Sequence, residues 1–164
     1  MQNLKTILRK KLKSAERIAI LGVGSDLRGD DAAGELVVRQ LQSRRKNIRT
    51  KPEVKFFFGS TAPENLTGEI KRFKPTHIII IDSADLGKKP GTIKLLDPRD
   101  IGGVSFSTHS LPTKVLVDYL VHSLDCKVLV FAIQPQSLVF GKSVSKEVSV
   151  SIGELAAAIQ SAVS

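Results

Sequence analysis

Residues 77–82 read HIIIID. Four consecutive isoleucines are apolar on both faces of an extended strand, the composition of a strand covered by helices on each side. Such covering is typical of parallel sheets, whose neighbouring strands are joined by crossover helices that lie on the faces. Working outward, apolar runs of strand length recur at 17–22 (RIAILG), 54–58 (VKFFF), 92–96 (TIKLL) and 127–133 (KVLVFAI). Helical patterns occupy 31–43, 63–73, 111–123 and 145–163. This alternation predicts an α/β three-layer sandwich, with a five-stranded, mostly parallel sheet and helices on both faces. One connection differs: Ser83 to Gly91 (SADLGKKPG) is too short and too rich in turn residues for a helical crossover, so the strand at 92–96 is expected to run antiparallel, at or near an edge. Pro98 to Ser107 reads as a long loop, the kind that is often functional in compact α/β domains.

The chain has 164 residues, 41% of them hydrophobic, which suits one domain over 1–164 with residues 1–16 as an extra N-terminal helix. The basic start, with Leu4, Ile7, Leu8 and Leu12 on one stripe, has the look of a transit peptide, but it runs into RIAILGVG with no cleavage site and is read as a structural helix. No apolar run reaches the length of about 18 residues needed to span a membrane. The single cysteine, Cys126, excludes an internal disulfide framework and a cysteine-based zinc cluster, and fits a reducing cytoplasm. The net charge of +9 and pI near 9.9 raise the question of nucleic acid. An aromatic content of 5% and no tryptophan speak against a base-stacking surface, so the basic clusters at 5–17 and 44–51 are read as solvated faces or a docking surface for an acidic protein.

Ligands of open parallel sheets bind beyond the carboxyl ends of the strands. The first strand delivers Gly22-Val23-Gly24 and then Asp30-Asp31, the second Gly59-Ser60-Thr61, the third Asp82 and Asp85, and the fifth Gln134-Pro135. The long loop returns Ser107-Thr108-His109 just before the next helix. Asp31, Asp82 and His109 therefore reach one rim from three segments, and two carboxylates with an imidazole suit a borderline divalent ion such as nickel or zinc in an open, exchangeable site. Asp30 is read as a helix cap and Asp31 as the residue facing the site. His77, His122 and Cys126 are read as structural. A dinucleotide fingerprint fits poorly, because its third glycine position falls on Leu27 and the second strand ends in Gly59-Ser60 instead of an acid. Nor is there a Gly-Lys-Ser/Thr ending or a G-x-S-x-G elbow.

Several motifs in order resemble one family, the maturation endopeptidases of nickel-iron hydrogenases. They are G-x-G-x-x-L-x-G-D-D-x-x-G at Gly22 to Gly34, G-S-T-A-P-E-N at Gly59 to Asn65, the strand ending in Asp82 with its turn to Gly91, T-H-x-x-P at Thr108 to Pro112 and I-Q-P at Ile133 to Pro135. APEN, DPRDI, STHSLP and IQP look most like the branch serving formate-hydrogenlyase-type and related membrane-bound hydrogenases. Ser25 and Ala32 depart from the usual asparagine and glycine. The resemblance implies an enzyme, a hydrolase of peptide bonds that removes a short C-terminal peptide from the large-subunit precursor once nickel is in place. Nickel then arrives with the substrate, no resident cofactor is needed, and Asp31, Asp82 and His109 engage it. The implied partner is the precursor, with other maturation factors, and neither nucleic acid nor a membrane. The competing readings are a nucleotide-binding α/β enzyme using the first glycine-rich loop and a non-catalytic metal-handling maturation factor.

Overall fold

A computed structural model describes residues 3–45, 51–106 and 113–164. The elements in chain order are α1 (Leu4–Lys11), β1 (Arg17–Val23), α2 (Ala33–Arg44), β2 (Glu53–Ser60), α3 (Thr67–Phe73), β3 (His77–Asp85), β4 (Ile93–Leu96), β5 (Ser105–Phe106), α4 (Thr113–Ser123), β6 (Lys127–Ile133) and α5 (Lys146–Val163). The main sheet has the order β2-β1-β3-β6-β4. β1, β2, β3 and β6 are parallel, and β4 pairs antiparallel with β6 at the edge, in the direction that its short connection from β3 dictates.

The isoleucine run is the centre of the sheet. Ile79 and Ile81 pack into the layer formed by α1, α2 and α5, whereas Ile78 and Ile80 pack into the layer that holds Ile70 of α3 and Leu116, Val117 and Leu120 of α4. All four are fully buried, and each contributes about 2 kcal/mol of apolar transfer free energy. α1 belongs to the same core: Leu8 is fully buried against it, and Arg9 donates to Ser161 Oγ of α5 at 3.0 Å. Among the described residues no helix is long and apolar enough to cross a membrane.

Two expectations change. The segment 98–107 is not a plain loop, since Ile101–Gly103 forms a short 3-10 turn and Ser105–Phe106 forms β5. β5 pairs antiparallel with Ala84 and Asp85 of β3, beyond the last partners of β1 and β6 on that strand, which is why β3 runs past Asp82. The helical patterns at 31–43 and 63–73 each open with a 3-10 turn, Gly29–Ala32 and Pro63–Leu66, before the α-helix begins.

At Gly34, α2 approaches the strands with no side chain between. A Cβ on Gly34 would collide with the carbonyl oxygens of Val23 and Ile81, and one on Gly22 would come 2.5 Å from Gly34 O. Because the obstacles are backbone on both sides, Gly34→Ala is expected to cost about 3 kcal/mol, read as a fall of roughly 10 °C in Tm. His77, at the amino end of β3, is 2% exposed, and burial together with the nearby Lys127 charge lowers its pKa. The folded state thus favours neutral His77. Its contribution to stability is full above the ordinary value of about 6.5 and is lost as the pH falls through the depressed one. Tm should decline on acidification below pH ~6.5, and His77→Gln should flatten that part of the profile.

Candidate functional site

The site begins with the turn that leaves β1. Gly24 has φ +126°, a conformation suited to glycine, and a Cβ there would strike the carbonyl of Asp31. The chain therefore folds back tightly, and the 3-10 turn Gly29–Ala32 lies against the ends of β1 and β3. Its backbone donors are already engaged. Gly24 N donates to Ser60 O at 2.8 Å, Ser25 N to Asp31 Oδ2 at 2.9 Å, Gly29 N to Lys142 O at 3.1 Å and Asp30 N to Ser137 O at 3.0 Å. A phosphate cradle needs such amides pointing at the ligand. Here they point into the protein, against the nucleotide-binding reading.

Asp31 and Asp82 meet at this rim, and both are fully buried. Ser83 links them: its hydroxyl donates to Asp31 Oδ1 at 3.3 Å and its amide donates to Asp82 Oδ1 at 2.8 Å. Buried carboxylates are costly unless donors or a cation surround them, and two at one rim attract a divalent counter-charge. His109, with Ser107, Thr108, Ser110, Leu111 and Pro112, lies outside the described residues. Among the described residues no three His, Cys, Asp or Glu side chains form a metal-binding group. The chain does come back to the rim, because Phe106 of β5 stands opposite Ala84, two residues past Asp82.

Asp30 requires a correction. It does not cap α2, whose first turn has no side-chain cap, and neither does it cap the 3-10 turn. Its carboxylate points the other way. Oδ2 accepts from Gln136 N at 2.7 Å, Ser137 N at 3.1 Å and Ser145 Oγ at 2.9 Å, and Oδ1 accepts from Ser145 N at 2.7 Å. It thus fastens the segment between β6 and α5 to the glycine-rich loop.

Two supporting residues, Ser83 and Glu35, escape the sequence reading of the site, and Gln134, which that reading brings to the rim, takes a bracing role. Ser83 is the link just described. Glu35, one helical turn beyond Asp31, is 7% exposed; its Oε1 accepts from Ser60 N at 2.8 Å and its Oε2 lies 3.5 Å from Arg39 Nη2. It fixes Ser60 at φ +49°. Gln134 of the I-Q-P motif accepts from Leu86 N at 2.6 Å and Lys88 N at 3.3 Å and donates to Asp85 Oδ1 at 3.3 Å, holding the turn after β3. The i, i+4 spacing of Asp31 and Glu35 was the available signal for Glu35. His77 and Cys126 stand at the amino ends of β3 and β6, and exposed His122 is in the last turn of α4, its Nδ1 2.6 Å from Asp118 O. Burial, with Asp125 beside it, raises the Cys126 pKa, which suits an unreactive thiol.

The family model for HycI, hydrogenase maturation protease, matches residues 36–162. A putative hydrogenase maturation protease of Methanocaldococcus jannaschii is 35% identical over 151 residues, spanning 90% of this chain and 89% of that one. The hydrogenase 3 maturation protease of Escherichia coli K12 is 33% identical over 122 residues, 74% of each chain. The crystal structure of the NiFe hydrogenase maturation protease HycI from Thermococcus kodakarensis KOD1 superposes with a TM-score of 0.85 at 29% identity, covering 96% of this chain and 98% of that one. The fold is accordingly that of an α/β endopeptidase. The chain belongs to the hydrogenase maturation protease family, in agreement with the branch that its APEN, DPRDI, STHSLP and IQP segments resemble.

Removing the Asp30 carboxylate leaves four donors without their buried, charged acceptor. Asp30→Ala is expected to cost about 3 kcal/mol or more, measured by thermal or urea unfolding, with faster amide exchange at Gln136, Ser137 and Ser145.

Proposed function

We propose that the protein makes one endoproteolytic cut, removing a short C-terminal peptide from the nickel-loaded precursor of a nickel-iron hydrogenase large subunit. Substrate-borne nickel is the recognition element. The observation that carries this reading is the pair Asp31 and Asp82, delivered by separate elements to one rim and joined through Ser83. Oxygen ligands of this kind, completed by the imidazole of His109, suit nickel. Phe106 supports the third ligand, since its pairing with Ala84 leaves only three residues to His109.

In this mechanism the open coordination positions of the precursor's nickel are filled by Asp31, Asp82 and His109, with Asp31 and Asp82 exchanging internal hydrogen bonds for the metal. Docking brings the scissile bond to the rim. Every ligand adds affinity only for a loaded precursor, so an empty one is rejected by a difference in binding free energy. Hydrolysis then adds water across the peptide bond, with the metal or a rim carboxylate activating that water. The enzyme carries no metal of its own between turnovers. It works in the cytoplasm, where a chain with one free thiol is at home, and its basic surface favours acidic partners, the precursor and other maturation factors.

The test is a gel of nickel-loaded and nickel-free precursor before and after incubation. The loaded form alone is expected to shorten, in a single step. Asp31→Ala, Asp82→Ala and His109→Ala should each slow cleavage by about a hundred-fold or more while the variants keep a folded circular-dichroism spectrum. Normal cleavage by any one of them removes that residue from the ligand set. A wild-type protein that binds the loaded precursor and leaves it whole is instead a metal-handling factor.

A further inference from the structure

Three of the most exposed large apolar side chains lie on two hydrogen-bonded segments, one of which leads into the turn that carries Asp31. Leu27 is 58% exposed, Val139 54% and Phe140 73%. Leu27 belongs to the glycine-rich loop, and Val139 and Phe140 to the segment between β6 and α5. The two segments are sewn together by Gly141 N donating to Leu27 O at 2.9 Å, Gly29 N to Lys142 O at 3.1 Å and Arg28 Nε to Leu138 O at 3.4 Å. Beneath them the buried carboxylate of Asp30 holds Gln136, Ser137 and Ser145. Phe140 and its neighbours are therefore presented to water by a braced backbone. Exposed aromatic and aliphatic side chains carried on a braced backbone offer apolar surface to a partner with little ordering of the main chain to be done on binding.

We propose that Leu27, Val139 and Phe140 form a docking platform for an apolar stretch of the substrate chain close to the bond that is cut. This rests on the cleavage reading given above. Position identifies the occupant: Leu27 stands four residues before Asp31, at most about 14 Å along the chain, a shorter span than a standard protein interface, so a protein docked at Asp31 and Asp82 reaches this surface. Charge narrows its chemistry. Arg28 and exposed Lys142 flank the platform against the single carboxylate of Asp26, so the stretch it fits is apolar and bordered by acids. The platform orients the precursor, and the carboxylates read its nickel.

The proposal is tested by cleavage kinetics on loaded precursor with the Leu27→Ser/Phe140→Ser variant. The expected result is a KM about ten-fold higher, with kcat within about two-fold of wild type, as for loss of binding that is uniform through the reaction. Tm should not fall, because neither side chain fills a cavity, and Phe140→Ser alone serves as the milder second variant should the double change lower it. Lys142→Glu should raise KM further at low salt than at high salt. In a parallel measurement, association of nickel-loaded precursor with the wild-type and the Leu27→Ser/Phe140→Ser proteins is followed in the first moments after mixing, before cleavage: the variant should capture it more weakly by a similar factor. Unchanged KM and unchanged capture overturn the platform, as does a fall in kcat alone. If wild-type protein cuts no precursor, the cleavage reading fails, and the capture arm still decides whether the platform holds that protein.

Discussion

At Gly34 the first turn of α2 rests on the carbonyl oxygens of Val23 and Ile81, with no side chain between them. The rim depends on this backbone contact. It sets the helix deep against two parallel strands, and the turn just before it is carried to the place where those strands end. Gly24 completes the fold-back by letting the chain pass the carbonyl of Asp31. Successive residues of a 3-10 turn point about a third of a revolution apart. Asp30 and Asp31, adjacent in sequence, consequently have different partners: Asp31 turns toward Ser25, Ser83 and the rim, and Asp30 toward the segment before α5.

The two ends of the sheet are chemically different. At the carboxyl end carboxylates dominate, with Asp31, Asp82 and Glu35 all buried within one turn or strand end. At the amino end stand Arg17, His77 and Lys127, and the charge of Lys127 helps keep His77 neutral. In a molecule of net charge +9 the buried carboxylates are thus gathered at one end of the sheet and the buried histidine at the other.

Much of the architecture was legible because it rests on strong, local patterns. HIIIID could be little else than a strand buried on both faces, and SADLGKKPG is too short to cross the sheet, which fixes the direction of β4. The family was legible from ordered motifs, and the placement of Asp31 and Asp82 from the rule that strand ends carry the site. What the sequence concealed were interactions between distant segments. Asp30 before a helix has the form of a cap, yet its partners lie more than a hundred residues away, and no local rule selects them over the α2 amides. β5 is only two residues long and exists because the end of β3 offers unpaired backbone beyond its parallel neighbours. Ser83, small and next to a conspicuous aspartate, carries no pattern of its own.

Ser60 ends β2 with φ +49°, in the left-handed region that glycine enters without penalty. A serine there costs about 1 kcal/mol, and its amide and carbonyl are both claimed, by Glu35 and Gly24, so the conformation is imposed from outside. Glycine would relieve the strain and leave the backbone pattern intact, but it would also erase a hydroxyl exposed beside the rim. The fold therefore keeps a weaker strand end together with an exposed hydroxyl at that point. Selection for heat resistance alone would favour Ser60→Gly, and the result would be a tighter fold with a blunter edge.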